Sequence, residues 1–127
     1  MTAMRPYRKW ILLLGCCAAL ASILGGSEPD AASRGREVFQ RRCTGCHALD
    51  GARVGPPLRG VFGRRVAAEP GFPYSDALRK SQFVWDEARL DRWLADPDGL
   101  IPGNDMSFRL DNAAERSAIV AYLKLHP

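Results

Sequence analysis

Cysteine is scarce in this sequence. Of four cysteines, Cys16 and Cys17 fall within the first 26 residues, so Cys43 and Cys46 serve the remainder of the chain. One pair is too few for a disulfide scaffold. Acidic residues are absent before Ser27. All 14 lie beyond it with 15 of the 18 basic ones, so residues 27–127 carry a net charge of +1 where the whole chain carries +4. That near-neutrality excludes a strongly basic nucleic-acid binder. Lysine is nearly missing there too, with only Lys80 and Lys124. No internal repeat and no strand-like alternation of apolar and polar residues occurs. The length of 127 residues leaves room for one core and excludes a multidomain enzyme. Nine prolines and twelve glycines argue against a long-helix bundle.

What is present begins with a leader. Arg5, Arg8 and Lys9 precede an uncharged run from Trp10 to Gly26, and small residues near its end (Ala21, Ser22, Gly25, Gly26, Ser27) suit cleavage by a signal peptidase. This is the pattern of a secretory signal peptide over residues 1–26. The run of 17 residues also reaches the lower edge of a membrane span, so an uncleaved membrane anchor with its basic end inside is the alternative. Leu13-Leu14-Gly15-Cys16 resembles a lipoprotein cleavage box, with a short apolar stretch before it. Each outcome exports residues 27–127, and the expected location is periplasmic, free or held at the membrane by this segment.

In the exported part, Gly35, Val38 and Phe39 fall at i, i+3, i+4 on a short helix from about Ala32 to Arg42, with Asp30 a capping candidate. Residues 48–73 are too rich in Gly and Pro for long regular elements. Ser75 suits the cap of a brief helix through Lys80. Asp86 suits the cap of the next, with Trp85 and Leu90 placed as a hydrophobic staple, Leu90, Trp93 and Leu94 on its inner face, and Asp96-Pro97 as its stop. Residues 97–111 read as loop. Asn112 with Glu115 makes a capping box for a last helix that buries Ala118, Ile119, Tyr122 and Leu123. The expectation is an all-α domain of three to five short helices and long ordered loops. Loops of that length need something inside to organise them, and a large apolar cofactor would supply it.

Cys43-Thr44-Gly45-Cys46-His47 carries the chemistry. Cys-x-x-Cys-His is a c-type haem attachment signature: two thiols on one helical turn reach the two vinyl groups of a porphyrin, and the adjacent histidine ligates iron. A thioredoxin-like dithiol would need a βαβ context. A structural zinc would need four ligands, and residues 27–127 hold two Cys and two His with His47 crowded against Cys46. A plain disulfide closing so short a loop gains little. One motif means one haem c. Its sixth iron ligand has three candidates, Met106, His126 and Lys124. Met106 has a soft thioether and sits in a Pro- and Gly-containing loop rather than on an apolar helix face, where a methionine is usually core filler.

Over residues 30–125 the sequence resembles the class I c-type cytochromes, the mitochondrial and bacterial periplasmic electron carriers. The matching blocks are Gly35 to Phe39, the attachment motif, Gly55-Pro56-Pro57-Leu58 through Phe62-Gly63-Arg64, Gly71-Phe72-Pro73-Tyr74, Trp85, Ile101 to Met106, and Ala121-Tyr122-Leu123-Lys124. The resemblance implies a cytochrome c fold over residues 27–127, helices and loops wrapped around one haem attached through Cys43 and Cys46. It implies iron between His47 and Met106, and the Pro56 carbonyl bound to the other nitrogen of His47. Arg64, Tyr74 and Trp85 would bond the haem propionates, and Phe108 would cover the Met106 side of the haem edge. Gly35 and Phe39 would pack against Ile119 and Tyr122 where the first and last helices cross. The sequence departs from the mitochondrial pattern at Trp93, where a tyrosine hydroxyl stands near the methionine sulfur, at Leu78, which replaces a frequent asparagine, and at Asn104, which replaces threonine and retains a donor.

The implied function is a one-electron carrier rather than an enzyme, expected as a monomer that passes electrons between membrane or periplasmic redox proteins, a reductase and an oxidase, with no role for nucleic acid. The alternative is a haem peroxidase or gas-binding sensor with a labile Met106 ligand. Residues 34–80 carry ten basic and four acidic side chains, and residues 81–127 carry five and eight. That asymmetry suits an acidic redox partner, the alternative being a generic solvated surface.

Overall fold

The computed structural model describes residues 30–127. The leader read over residues 1–26 lies outside them. Five helices follow in order: α1 (Ala31–Arg42), α2 (Asp76–Lys80), α3 (Glu87–Ala95), α4 (Pro97–Leu100) and α5 (Ala113–Lys124). The described residues contain no strand, only one isolated antiparallel bridge between Arg65 and Val84. The architecture is the all-α one expected.

Side chains close the exposed amide ends of the helices where the sequence places capping residues. Asp30 accepts from the amide of Ser33 at 2.8 Å, Ser75 from that of Leu78 at 3.3 Å, and Asp86 from that of Arg89 at 2.8 Å. Asn112 accepts from the amides of Ala114 and Glu115. The Glu115 carboxylate reaches across to Arg41 and Arg42 at the end of α1.

Helices α1 and α5 cross at contact distance because α1 has no side chain at Gly35. A Cβ there would stand 2.1 Å from the carbonyl oxygen of Ala118 and 2.5 Å from the Cβ of Tyr122. One turn on, the rings of Phe39 and Tyr122 meet with centroids 5.3 Å apart. α3 lies against α5 and buries Leu90, Trp93 and Leu94. The half-buried Arg116 ties the two helices together by donating to Asp91 at 2.7 Å and to the carbonyls of Leu110 and Asp111.

The span 97–111, read as loop, opens with a further short helix, α4. Its first residue is Pro97, whose fixed φ and missing N–H suit the first helical position. The amides of Leu100 and Ile101 bond back to Asp96 and Pro97. The segment then returns to α3: the amide of Leu110 bonds the carbonyl of Leu94 at 2.7 Å, and Arg109 pairs with Asp96 at 2.6 Å. Among the described residues no helix is long and apolar enough to cross a membrane.

Candidate functional site

The last turn of α1 delivers the attachment motif. The amide of Cys43 bonds Phe39, and those of Cys46 and His47 both bond the carbonyl of Cys43, at 3.1 and 2.8 Å. That tight turn sets both sulfurs and the imidazole at the wall of one cavity of about 700 Å³, within the size range of small-molecule and cofactor sites. Arg53 braces the turn by donating to the carbonyl of Thr44 at 2.9 Å. Cys43 is partly buried, and burial pushes its thiol up to about 11, so it is an uncharged group in an apolar wall. Cys46 is exposed.

His47 is fixed in both orientation and tautomer. Its Nδ1 stands 2.8 Å from the carbonyl oxygen of Pro56. A carbonyl only accepts, so Nδ1 carries the proton and Nε2 keeps a free lone pair for a metal. Gly55 makes room for the ring: a Cβ there would lie 2.2 Å from the His47 Cε1. Any larger residue would displace the imidazole.

Met106, Tyr74, Trp85, Trp93, Arg64, Pro56 and Phe108 line the same cavity, with Leu78, Leu90, Leu94 and Leu123 filling its apolar wall. Trp93 packs edge-on against Trp85 with centroids 5.4 Å apart, and Trp85 against Phe83 at 5.0 Å. Burial raises the pKa of the Tyr74 hydroxyl, so it stays a protonated donor. Arg64 donates to Glu69 at 2.8 Å and to the carbonyls of Pro57 and Arg59 at 3.0 and 3.2 Å.

Of the three sixth-ligand candidates, only Met106 is brought to the cavity. His126 turns its Nδ1 to the carbonyl of Tyr122 at 2.7 Å and packs at a tilt against that ring. Lys124 pairs with Glu87 and lies over the Phe62 ring. Asn104, which the resemblance placed near Met106, stands behind the cavity wall rather than in it. Its amide donates to Asp98 at 3.1 Å and to the carbonyl of Ile101 at 2.9 Å, and its oxygen accepts from the Met106 amide at 2.7 Å. A side chain long enough to close its own loop spends its donors there. Gly55 was marked only as part of a matching block, with no role attached, and Glu69 carried no signal in the sequence because it belongs to no chemical motif.

The donor set fits a covalent haem. Two thiols share one turn, a histidine has one nitrogen held and the other free, a thioether shares the cavity, and the wall is apolar with a guanidinium in it. The zinc reading lacks ligands: among the described residues no three His, Cys, Asp or Glu side chains gather into a metal-holding group.

A family model for cytochrome c matches residues 32–126. Cytochrome c2 iso-2 of Magnetospirillum fulvum is 47% identical over 85 residues, covering 65% of this chain and 88% of that protein. The cytochrome c-type cyt cy of Rhodobacter capsulatus is 43% identical over 98 residues, 76% of this chain and 49% of the relative. Among solved structures, cytochrome cH from Methylobacterium extorquens matches with a TM-score of 0.70 at 40% identity, over 74% of this chain and 97% of that one.

Proposed function

The chain belongs to the cytochrome c family, and from that premise we propose that it is an exported carrier whose iron is held between the imidazole of His47 and the thioether of Met106. Membership makes it a monohaem electron-transfer protein with haem c attached covalently, the two cysteines of the attachment motif being Cys43 and Cys46. The observation that carries the ligand assignment is that Met106 alone of the sixth-ligand candidates lines the cavity shared by His47 and both cysteines.

Bound haem supplies one-electron cycling between ferric and ferrous iron. The protein holds that group and sets how readily it gains the electron. Cys43 and Cys46 fix it to the end of α1. Pro56 and Gly55 hold His47 so that Nε2 faces its role without a rotamer search. Asn104 holds the backbone of Met106, whose soft sulfur favours the reduced state. Trp85, Trp93 and the leucines exclude water, and Arg64, Tyr74 and Trp85 supply donors for the propionates, anions that would be costly to bury unpaired.

The leader supports export to the periplasm, and the bacterial cytochrome c2 relatives accord with that location. The proposed partners are a reductase and an oxidase at or near the membrane. The absorption spectrum of the purified ferric protein tests the ligand pair. A low-spin spectrum with the weak far-red band of a sulfur–iron bond is expected, and a high-spin or bis-imidazole spectrum would overturn the assignment. Fractionation of the native host, with the protein recovered from the cytoplasm, would overturn export.

A further inference from the structure

Five charged side chains line the cavity: Arg42, Arg53, Arg64, Glu69 and Asp105. Arg42, Arg53 and Asp105 are exposed, where water and salt screen a charge within about 10 Å. Glu69 and Arg64 differ. Their side chains are only 25% and 20% exposed, and the carboxylate meets the guanidinium at 2.8 Å. Two backbone carbonyls, those of Pro57 and Arg59, hold Arg64 in place from other sides. The carboxylate is thus pinned in the wall beside Tyr74 rather than free to turn to solvent.

We propose that Glu69 is a potential-setting residue, whose carboxylate, held in the cavity wall by Arg64, favours the ferric over the ferrous state. The inference rests on the reading of this cavity as the haem site. Oxidation leaves one more positive charge at the iron. A fixed negative charge in the same weakly polar enclosure stabilises that state more than the same charge would from open water. Arg64 offsets part of the effect. The Arg64 guanidinium is shared with the carbonyls of Pro57 and Arg59, so its compensation of Glu69 is incomplete.

Midpoint potentials of the haem-loaded protein, measured by spectroelectrochemistry with ferric spectra alongside, test this. Glu69→Gln removes the charge and keeps the shape, and is expected to shift the potential upward. Glu69→Asp keeps the charge and is expected to stay near the parent. A Glu69→Gln potential at or below the parent, or an Asp shift as large as the Gln shift, would overturn the proposal. Should Glu69→Gln fail to fold, the Arg64→Gln background keeps it falsifiable. Arg64→Gln is expected to lower the potential, and adding Glu69→Gln to recover part of that shift. No recovery would overturn it. The parent's ferric spectrum reports the His47 and Met106 assignment separately, so the two readings fail independently.

Discussion

Met106 and His47 are supported differently, and the difference governs what their loss does. His47 is clamped by the Pro56 carbonyl and backed by Gly55 within the turn that carries both cysteines. Met106 depends on a loop whose closing bond comes from Asn104. Met106→Ala is expected to keep the haem covalently bound, open the iron to added ligands and lower the midpoint potential, since the sulfur favours the reduced state. Potentiometry and ferric spectra check this, and an unchanged spectrum would contradict it. Asn104→Ala removes bonds worth about 0.5–1.5 kcal/mol each. The Met106 sulfur should then yield more readily to added imidazole, with affinity rising up to about tenfold for the loss of one such bond. Spectral titration measures it, and equal affinity in parent and variant would show that Asn104 does not hold the ligand. The attachment motif was legible in the sequence because the chemistry demands those atoms, whereas Met106 stood as one of three sixth-ligand candidates until the cavity lining separated it from His126 and Lys124. The direction of the Asn104 side chain was not legible, since an amide satisfies its own loop or a nearby sulfur with the same letter.

Among the helices, the α1–α5 crossing makes the sharpest demand on a single position. Gly35→Ala would gain up to about 1 kcal/mol in helix propensity. The added Cβ, however, would sit 2.1 Å from a backbone oxygen. A backbone atom cannot rotate away, so the helices must separate, and overpacking of this kind costs about 1–3 kcal/mol. The penalty wins, and Tm is expected to fall by roughly 4–8 °C per kcal/mol lost. An unchanged Tm in a thermal melt would mean that the crossing is looser than described. The helices that the sequence marked are those whose signals are local: Asp30, Ser75, Asp86 and Asn112 each cap within three residues of themselves. α4 was not legible as a helix, because four residues carry no apolar period and Asp96-Pro97 signals both a stop and a start. The return of Leu110 to Leu94 and the pairing of Arg65 with Val84 join residues distant in sequence, which no local pattern encodes.

The whole molecule is organised around its cavity. Without an occupant, the apolar wall of this cavity of about 700 Å³ would face water, at a cost of about 25 cal/mol per Å² of apolar surface. The leucines and tryptophans of its wall need an apolar occupant as much as that occupant needs them. The long loops of residues 47–75 and 101–112 are ordered because they form that wall, which reconciles their length with a compact domain. A chain with Cys43→Ala and Cys46→Ala is therefore expected to unfold with a broad, weakly cooperative transition, whereas the haem-loaded parent melts sharply. Two comparably sharp melts would place the core elsewhere. The most direct test of the account is the intact mass of the purified protein under denaturing conditions, after expression with haem-attachment machinery. The predicted mass is that of the polypeptide plus one haem, retained after unfolding. A bare polypeptide mass from a natively compact, colourless product would contradict the account.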